Sequence, residues 1–284
     1  MSEREGASTL PDLTSAYPLS PHSIRAYRDK GHTVLRGLAS VREVQAFAPA
    51  IAEVGEGARY DRRPLEERDT YGRAFQQMPN LWVRDARVKA FVFAERFARV
   101  AAELMGVEGV RLYHDQALSK EPGGGYTPWH QDRFYWPLDT PHTITMWMPL
   151  VDVSDEVGSM TFVSGSQRLG SLGDHAIGDA SQQAFQRLIE ERGLRHETHG
   201  ALAAGDATFH DGWTLHCAPA NPTATCRQVM TVIYFADGAR VGAIDHPARE
   251  FDYKVWLRGC EPGGPAAGEL NPLLYRGPRE HGAP

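Results

Sequence analysis

Residues 142–150 read HTITMWMPL. Thr143, Thr145 and Trp147 alternate with Ile144, Met146 and Met148. Side chains on a strand point alternately to its two faces, so this is a strand with one wholly apolar face and one mixed face. Working outward, Val110 to Lys120 alternates in the same way, with Leu112, His114, Gln116, Leu118 and Lys120 on one face. Gly123–Gly125 is a turn, and Tyr126 to Asp132 reads as extended. Short strands are expected at 160–163 and at about 206–210, 213–218 and 227–235. A helix over 181–192, stopped by Gly193, interrupts them.

The pattern before residue 108 is helical. Ser20-Pro21 opens a helix to about Lys30, with Gly31 after its end. Thr33–Leu35 is a short strand. Ser40 and Glu43 form a capping box for a helix running to about Val54, with Pro49 threatening a kink. Asp85 caps a third helix, Ala86 to Met105, whose Phe93, Phe97, Val100 and Leu104 share one face. Residues 57–82 are polar and poorly periodic and read as a long loop, the usual form of a lid or binding segment. The expected fold class is mainly β with flanking α-helices, a sandwich or jelly roll buttressed by the N-terminal helices. A flexible leader (1–18) precedes one domain (19–258), helical over 19–107 and barrel over 108–258. A loop-rich tail (259–284) would lie on the surface as an arm.

Composition narrows the function classes. The chain has 284 residues and a formal net charge of −6, which argues against a nucleic-acid partner. No apolar run is long enough to suggest a membrane partner, and Met1–Pro11 is charged rather than signal-like. Three cysteines, none in CxxC spacing, suit a reduced, cytoplasmic setting rather than a disulfide framework. The 28 glycines and 19 prolines are spread along the chain, as many turns between short strands require. Barrels of the expected kind can hold a small ligand inside.

The chemistry starts at Trp129-His130-Gln131-Asp132. His-x-Asp on an extended segment turns an imidazole and a carboxylate to one side. That is two thirds of a 2-His-1-carboxylate facial triad, the iron(II) site that keeps open positions. Further on, His216 and Arg227 lie symmetrically about Asn221-Pro222, a turn former. An antiparallel hairpin centred there would face His216 with Arg227 across two strands. A guanidinium beside the metal suits an anionic cosubstrate. His210 is the rival third ligand, but it lacks this relation to Arg227.

Four stretches together resemble a known family: HQD at 130–132, VSGSQR at 163–168, WTLHCAPANPTATCR at 213–227, and WMPLVDVSDEVGSMTFVSGSQ at 147–167. Over roughly residues 24–235 the chain is similar to the phytanoyl-CoA dioxygenase family of iron(II)/2-oxoglutarate oxygenases. The resemblance implies a double-stranded β-helix barrel, with Fe(II) on His130, Asp132 and His216 and with O2 and 2-oxoglutarate as cosubstrates. It implies that Arg227 takes the distal carboxylate of 2-oxoglutarate, with Gln116, Lys120, Trp147 and Trp136 near the same cosubstrate. Ala218 departs from the pattern, since several relatives carry a serine there. The implied reaction is hydroxylation of a small molecule, in bacterial specialised metabolism. Desaturation, epimerisation or ring formation are alternatives on the same site. Position alone nominates Tyr71, Arg73, Phe75, Gln76 and Gln77 in the 57–82 segment, with Phe134 and Tyr135, for substrate contact. Three other readings stay open: a cupin-like metalloenzyme without 2-oxoglutarate, a non-enzymatic binding module, and an inactive 2-oxoglutarate sensor.

Overall fold

The computed structural model describes residues 10–59, 61–157 and 159–278. It begins with three pieces whose ends follow the capping chemistry. Helix α1 (Pro21–Lys30) has the Ser20 side chain on the Ser23 amide and is closed by Gly31, whose φ is 83°. Strand β1 is His32–Leu35. Helix α2 (Val41–Ala58) starts on the reciprocal Ser40–Glu43 box and runs on through Pro49, one turn past the expected end.

Next come α3 (Thr70–Ala74), β2 (Gln76–Pro79), α4 (Ala86–Val92) and α5 (Glu95–Met105). Strand β3 (Gly109–Lys120) begins the barrel, followed by β4 (Thr127–His130), β5 (Thr143–Pro149) and β6 (Thr161–Val163). Helix α6 (Asp179–Arg192) is the insertion and starts just before its expected residue. Strands β7 (His196–Thr198), β8 (Ala207–Asp211), β9 (His216–Ala218) and β10 (Arg227–Ala236) follow. Helix α7 (Pro247–Trp256) and β11 (Leu273–Arg276) end the described fold.

The strands form two antiparallel sheets. The larger has the order β1-β8-β5-β10-β3-β11, with β2 also on β3, and the smaller is β4-β9-β6-β7. The alternation of residues 143–149 decides which layer meets which. Ile144, Met146 and Met148 of β5, with Met230, Val232 and Tyr234 of β10, pack on Phe47, Phe91, Phe97 and Leu104 of the helices. Each large side chain buried this way contributes about 1.5–3 kcal/mol. The opposite faces of β5 and β10 turn inward, toward the small sheet.

Several expectations are corrected. Helix accounts for 33% of the described residues and strand for 24%, so the class is mixed α/β rather than mainly β. The 57–82 segment is not a plain loop. It holds α3, and β2 pairs with β3 from Gln76↔Ser119 to Pro79↔Gln116. The helix expected over 86–105 breaks at Phe93-Ala94. The carbonyl of Leu13 takes the Arg96 amide, which an unbroken helix would spend on Val92. Leu13 is itself buried, and Arg96 holds Ser15, Leu38 and Glu43, so residues 10–18 are docked rather than loose. Residues 1–9 of the expected leader lie outside the described residues. Of the 213–218 strand only 216–218 is paired.

The tail is also more than a surface arm. Strand β11 pairs with β3, and the buried Asn271 amide donates to the carbonyls of Leu112 (3.1 Å) and Tyr113 (3.3 Å). Residues 279–284 of the tail lie outside the described residues.

His216 and Arg227 do not face each other in a hairpin. His216 belongs to the small sheet and pairs with His130 and Phe162. Arg227 belongs to the large sheet and pairs with Lys120. The Asn221 side chain donates to the carbonyls of Lys120, Glu121 and Thr225, and so steers the connection from one sheet to the other. The equal spacing about Asn221-Pro222 therefore spans a crossing between layers.

Candidate metal centre and its cavity

Strand β4 ends at His130, and a short 3-10 turn over Asp132–Phe134 follows at once. The turn carries the Asp132 carboxylate back toward the His130 ring. Strand β9 lies beside β4 and brings His216 opposite His130, their ring centroids 4.1 Å apart. One ligand atom from each of His130, Asp132 and His216 lies within 4.8 Å of the others. Oδ1 of Asp132 is 3.5 Å from Nε2 of His130 and 3.7 Å from Nε2 of His216.

The hydrogen bonds around these donors test whether an ion fits. Nδ1 of His130 is 2.8 Å from the Pro128 carbonyl, and Nδ1 of His216 is 2.9 Å from that of Thr214. A carbonyl only accepts, so each Nδ1 carries the proton and each Nε2 presents its lone pair to the centre. On Asp132, Thr145 Oγ1 donates to Oδ2 at 2.9 Å, and His210 Nε2 lies 3.1 Å from the same oxygen. Oδ1 is left facing the two imidazoles. Two imidazole nitrogens and one carboxylate oxygen, all converging, are the donor set of a divalent transition metal with open positions.

The electrostatics agree. Burial disfavours charge on Asp132, but His216, His130 and His210 hold its carboxyl well below the usual carboxylate range. Burial and the neighbouring His130 and His210 push His216 well below its ordinary value, so it is neutral and ready to ligate. His210, the rival ligand, orients the carboxylate instead.

A cavity of about 580 Å³ opens from this centre between the two sheets. At one end lies Arg227, buried, with its guanidinium 5.3 Å above the Trp147 ring. Burial lowers its pKa to about 10, which leaves it cationic at neutral pH. Gln116, Leu118, Met160 and Ala218 line the wall nearby. Gln116 accepts from Gln77, which accepts in turn from the Tyr71 hydroxyl at 2.8 Å.

The structure brings Phe75, Gln77, Tyr135 and Trp136 to the same cavity as the triad and Arg227. Trp136 packs with Tyr113 and Ile233, in a cluster apart from that of Trp147 and Ala218. Four nominated residues lie elsewhere. Arg73 sits on α3, where its carbonyl accepts from the Gly125 amide at 2.8 Å. The Lys120 side chain is outside the cavity lining and is held by the Gly125 carbonyl and Thr127; burial and Arg227 lower its pKa to about 7. Gln76 alternates with Gln77 on β2 and turns toward Arg68 and Asp61. Phe134 stacks on His246, ring centroids 4.6 Å apart.

Sequence reading passed over Thr145 and the far wall, where His114, Asp252 and Trp256 line the cavity. Asp252 and Trp256 ride on α7. Its signals are Pro247 at the first position, Glu250 in the first turn and Lys254 in the last. Its cap, His246, is not one of the usual capping types.

Comparison with known proteins agrees with this geometry. Residues 27–229 match the family model described as Phytanoyl-CoA dioxygenase (PhyH). Among solved structures, the chain is similar to SnoK, a non-haem α-ketoglutarate-dependent carbocyclase from nogalamycin biosynthesis. Identity is 27%, coverage 91% of this chain and 97% of that one, and the TM-score 0.74. It is also similar to the epimerase SnoN in complex with Fe3+, α-ketoglutarate and nogalamycin RO, at 26% identity, coverage of 89% and 98%, and TM-score 0.74. EctD from S. alaskensis with bound Fe shares the fold at 18% identity, coverage of 91% and 94%, and TM-score 0.65.

Proposed function

The chain belongs to the phytanoyl-CoA dioxygenase family of iron(II)/2-oxoglutarate oxygenases, and from that premise we propose that it hydroxylates a small molecule in bacterial specialised metabolism. The observation that carries this reading is the triad on the wall of a cavity that also holds the buried Arg227. His130, Asp132 and His216 would hold the iron through two Nε2 atoms and Oδ1. The guanidinium of Arg227 would take the distal carboxylate of 2-oxoglutarate, as a charge-assisted pair out of water. Trp147 supports the guanidinium from one face, and Gln116 offers a polar side chain on the wall between Arg227 and the metal. Bound there, iron with 2-oxoglutarate would supply activation of O2, with 2-oxoglutarate going to succinate and CO2.

The protein's own contribution is orientation and exclusion of water. His210 and Thr145 fix Asp132, so that one of its oxygens keeps its aim while substrate enters. Aromatic and aliphatic side chains together make most of the remaining wall and suit an apolar, ring-containing substrate.

A second reading is oxidative ring closure or epimerisation on the same site. The similarity to a carbocyclase and an epimerase favours it. One experiment decides. The protein is given Fe(II), 2-oxoglutarate, O2 and a panel of polycyclic and alicyclic substrates. Succinate formation stimulated by a substrate supports the oxygenase. Product mass then separates the outcomes: gain of an oxygen for hydroxylation, loss of a hydrogen pair for ring closure or desaturation, no change for epimerisation. Succinate release that no substrate stimulates would instead fit the sensor. Unaltered turnover in Arg227→Ala would fit the cupin-like enzyme.

A further inference from the structure

A bulge in β3 builds the far end of the cavity. Opposite β10 the pairing slips, so that Ile233 meets His114, Tyr234 meets Leu112, and Tyr113 meets nothing. A bulge re-aims side chains next to a site. On a plain strand Tyr113 and His114 would point to opposite faces; here their rings stand 5.3 Å apart. His114 reaches the cavity wall, and Tyr113 is buried behind it against Trp136. The Tyr113 hydroxyl donates to Oδ2 of Asp252 at 2.8 Å. Trp256, one helical turn further along α7, bonds the same carboxyl and lays its ring 4.7 Å from that of His114.

Asp252 is therefore a carboxyl set into the cavity wall, 6% exposed. Among the described residues no lysine or arginine is paired with it. Along β10 it sits far from Arg227. Arg227 pairs with Lys120 and Ile233 with His114, a separation of roughly 20 Å along the strand. Charge on the wall is thus divided: Asp132 serves the metal and Arg227 the cosubstrate end. What faces the rest of the cavity is one carboxyl among the rings of Tyr135, Trp136, Phe251 and Trp256. Burial pushes Asp252 up to about 7, which measures how poorly its charge is compensated. Burial holds His114 down to about 4, so no second cation competes there.

We propose that Asp252 anchors the substrate by a protonated amine, and that the enzyme selects an amine-bearing, ring-containing molecule over its neutral analogues. An ammonium turns an uncompensated buried carboxyl into a hydrogen-bonded ion pair, and the surrounding ring faces attract the same cation. The inference rests on the reading of this cavity as the oxygenase active site.

The test uses the full chain loaded anaerobically with Fe(II) and 2-oxoglutarate. The visible charge-transfer band of that complex reports on the oxygenase reading by itself. Binding is then measured by calorimetry and fluorescence for two matched pairs: aminomethylanthracene against hydroxymethylanthracene, and tryptamine against tryptophol. The amine of each pair is expected to bind about tenfold or more tighter than its alcohol. Asp252→Asn should abolish that preference and keep the charge-transfer band, while Asp252→Glu should retain the preference. Equal binding of amine and alcohol by the wild type overturns the proposal without any variant. So does the absence of saturable amine binding, or a preference that survives in Asp252→Asn. If the band is missing, the oxygenase reading fails, and the amine comparison on the same protein still gives its own answer.

Discussion

Asp132 divides its work between its oxygens: Oδ1 faces the imidazoles, and Oδ2 is tied to Thr145 and His210. Thr145→Val removes one tie and leaves the ligands in place. Iron affinity should fall by roughly 10- to 100-fold, read by competition with a chelator. Arg227→Ala should raise the Kd for 2-oxoglutarate by roughly 10- to 100-fold while stoichiometric iron binding persists. Asp252 gives a pH prediction. Its carboxyl is raised from 3.8 to about 7 on folding, so the native state keeps a proton that the unfolded chain has released. Its contribution to stability is full below about pH 4 and is lost as pH rises through 7. The thermal midpoint of Asp252→Asn should therefore gain on that of the metal-free wild type across this window, as followed by calorimetry. At this scale the sequence was legible where ligands are close in the chain. His130 and Asp132 announce themselves by spacing. The part played by His210 depends on β8 lying beside β5 in register, which no local pattern encodes.

Elements show where local reading fails. Strand β2 is built from Gln76, Gln77, Met78 and Pro79, with no β-branched residue, and its closing proline suits an edge position. Helix α7 hides behind an unusual cap. In both cases the tertiary partner, β3 or the far wall of the cavity, decides the structure. The crossing from β9 to β10 was misread for the same reason. Its turn residues were visible, but the choice between a hairpin and a change of sheet is made by Asn221, buried and bonded to β3. Asn221→Ala should lower stability by about 1–3 kcal/mol and weaken 2-oxoglutarate binding, because Arg227 starts the strand that this connection feeds. Denaturant unfolding and a 2-oxoglutarate titration would check both. Iron binding should survive, since His216 lies before the crossing.

At the scale of the molecule, helices cover one face of the large sheet and the small sheet covers the other. None of the described helices is long and apolar enough to cross a membrane. The layering was legible from the alternation at 143–149, whose apolar face meets the helices. How closely the layers approach was not. Gly205, with φ of 92°, bonds Ala39 at the start of the helical layer, and a Cβ there would come within 2.1 Å of the Ala39 carbonyl oxygen. Gly205→Ala should destabilise the protein by roughly 2–4 kcal/mol, visible as a lowered thermal midpoint with the iron site still competent in the folded fraction. The Asn271 clamp on Leu112 and Tyr113 has a consequence in time. A ribosome delivers the chain from its N-terminus, and domains begin to fold as they emerge. His130, Asp132, His216 and Arg227 all emerge before α7, and α7 before Asn271. The half of the cavity that holds the metal is thus synthesised first, and the half that would recognise the substrate is finished last.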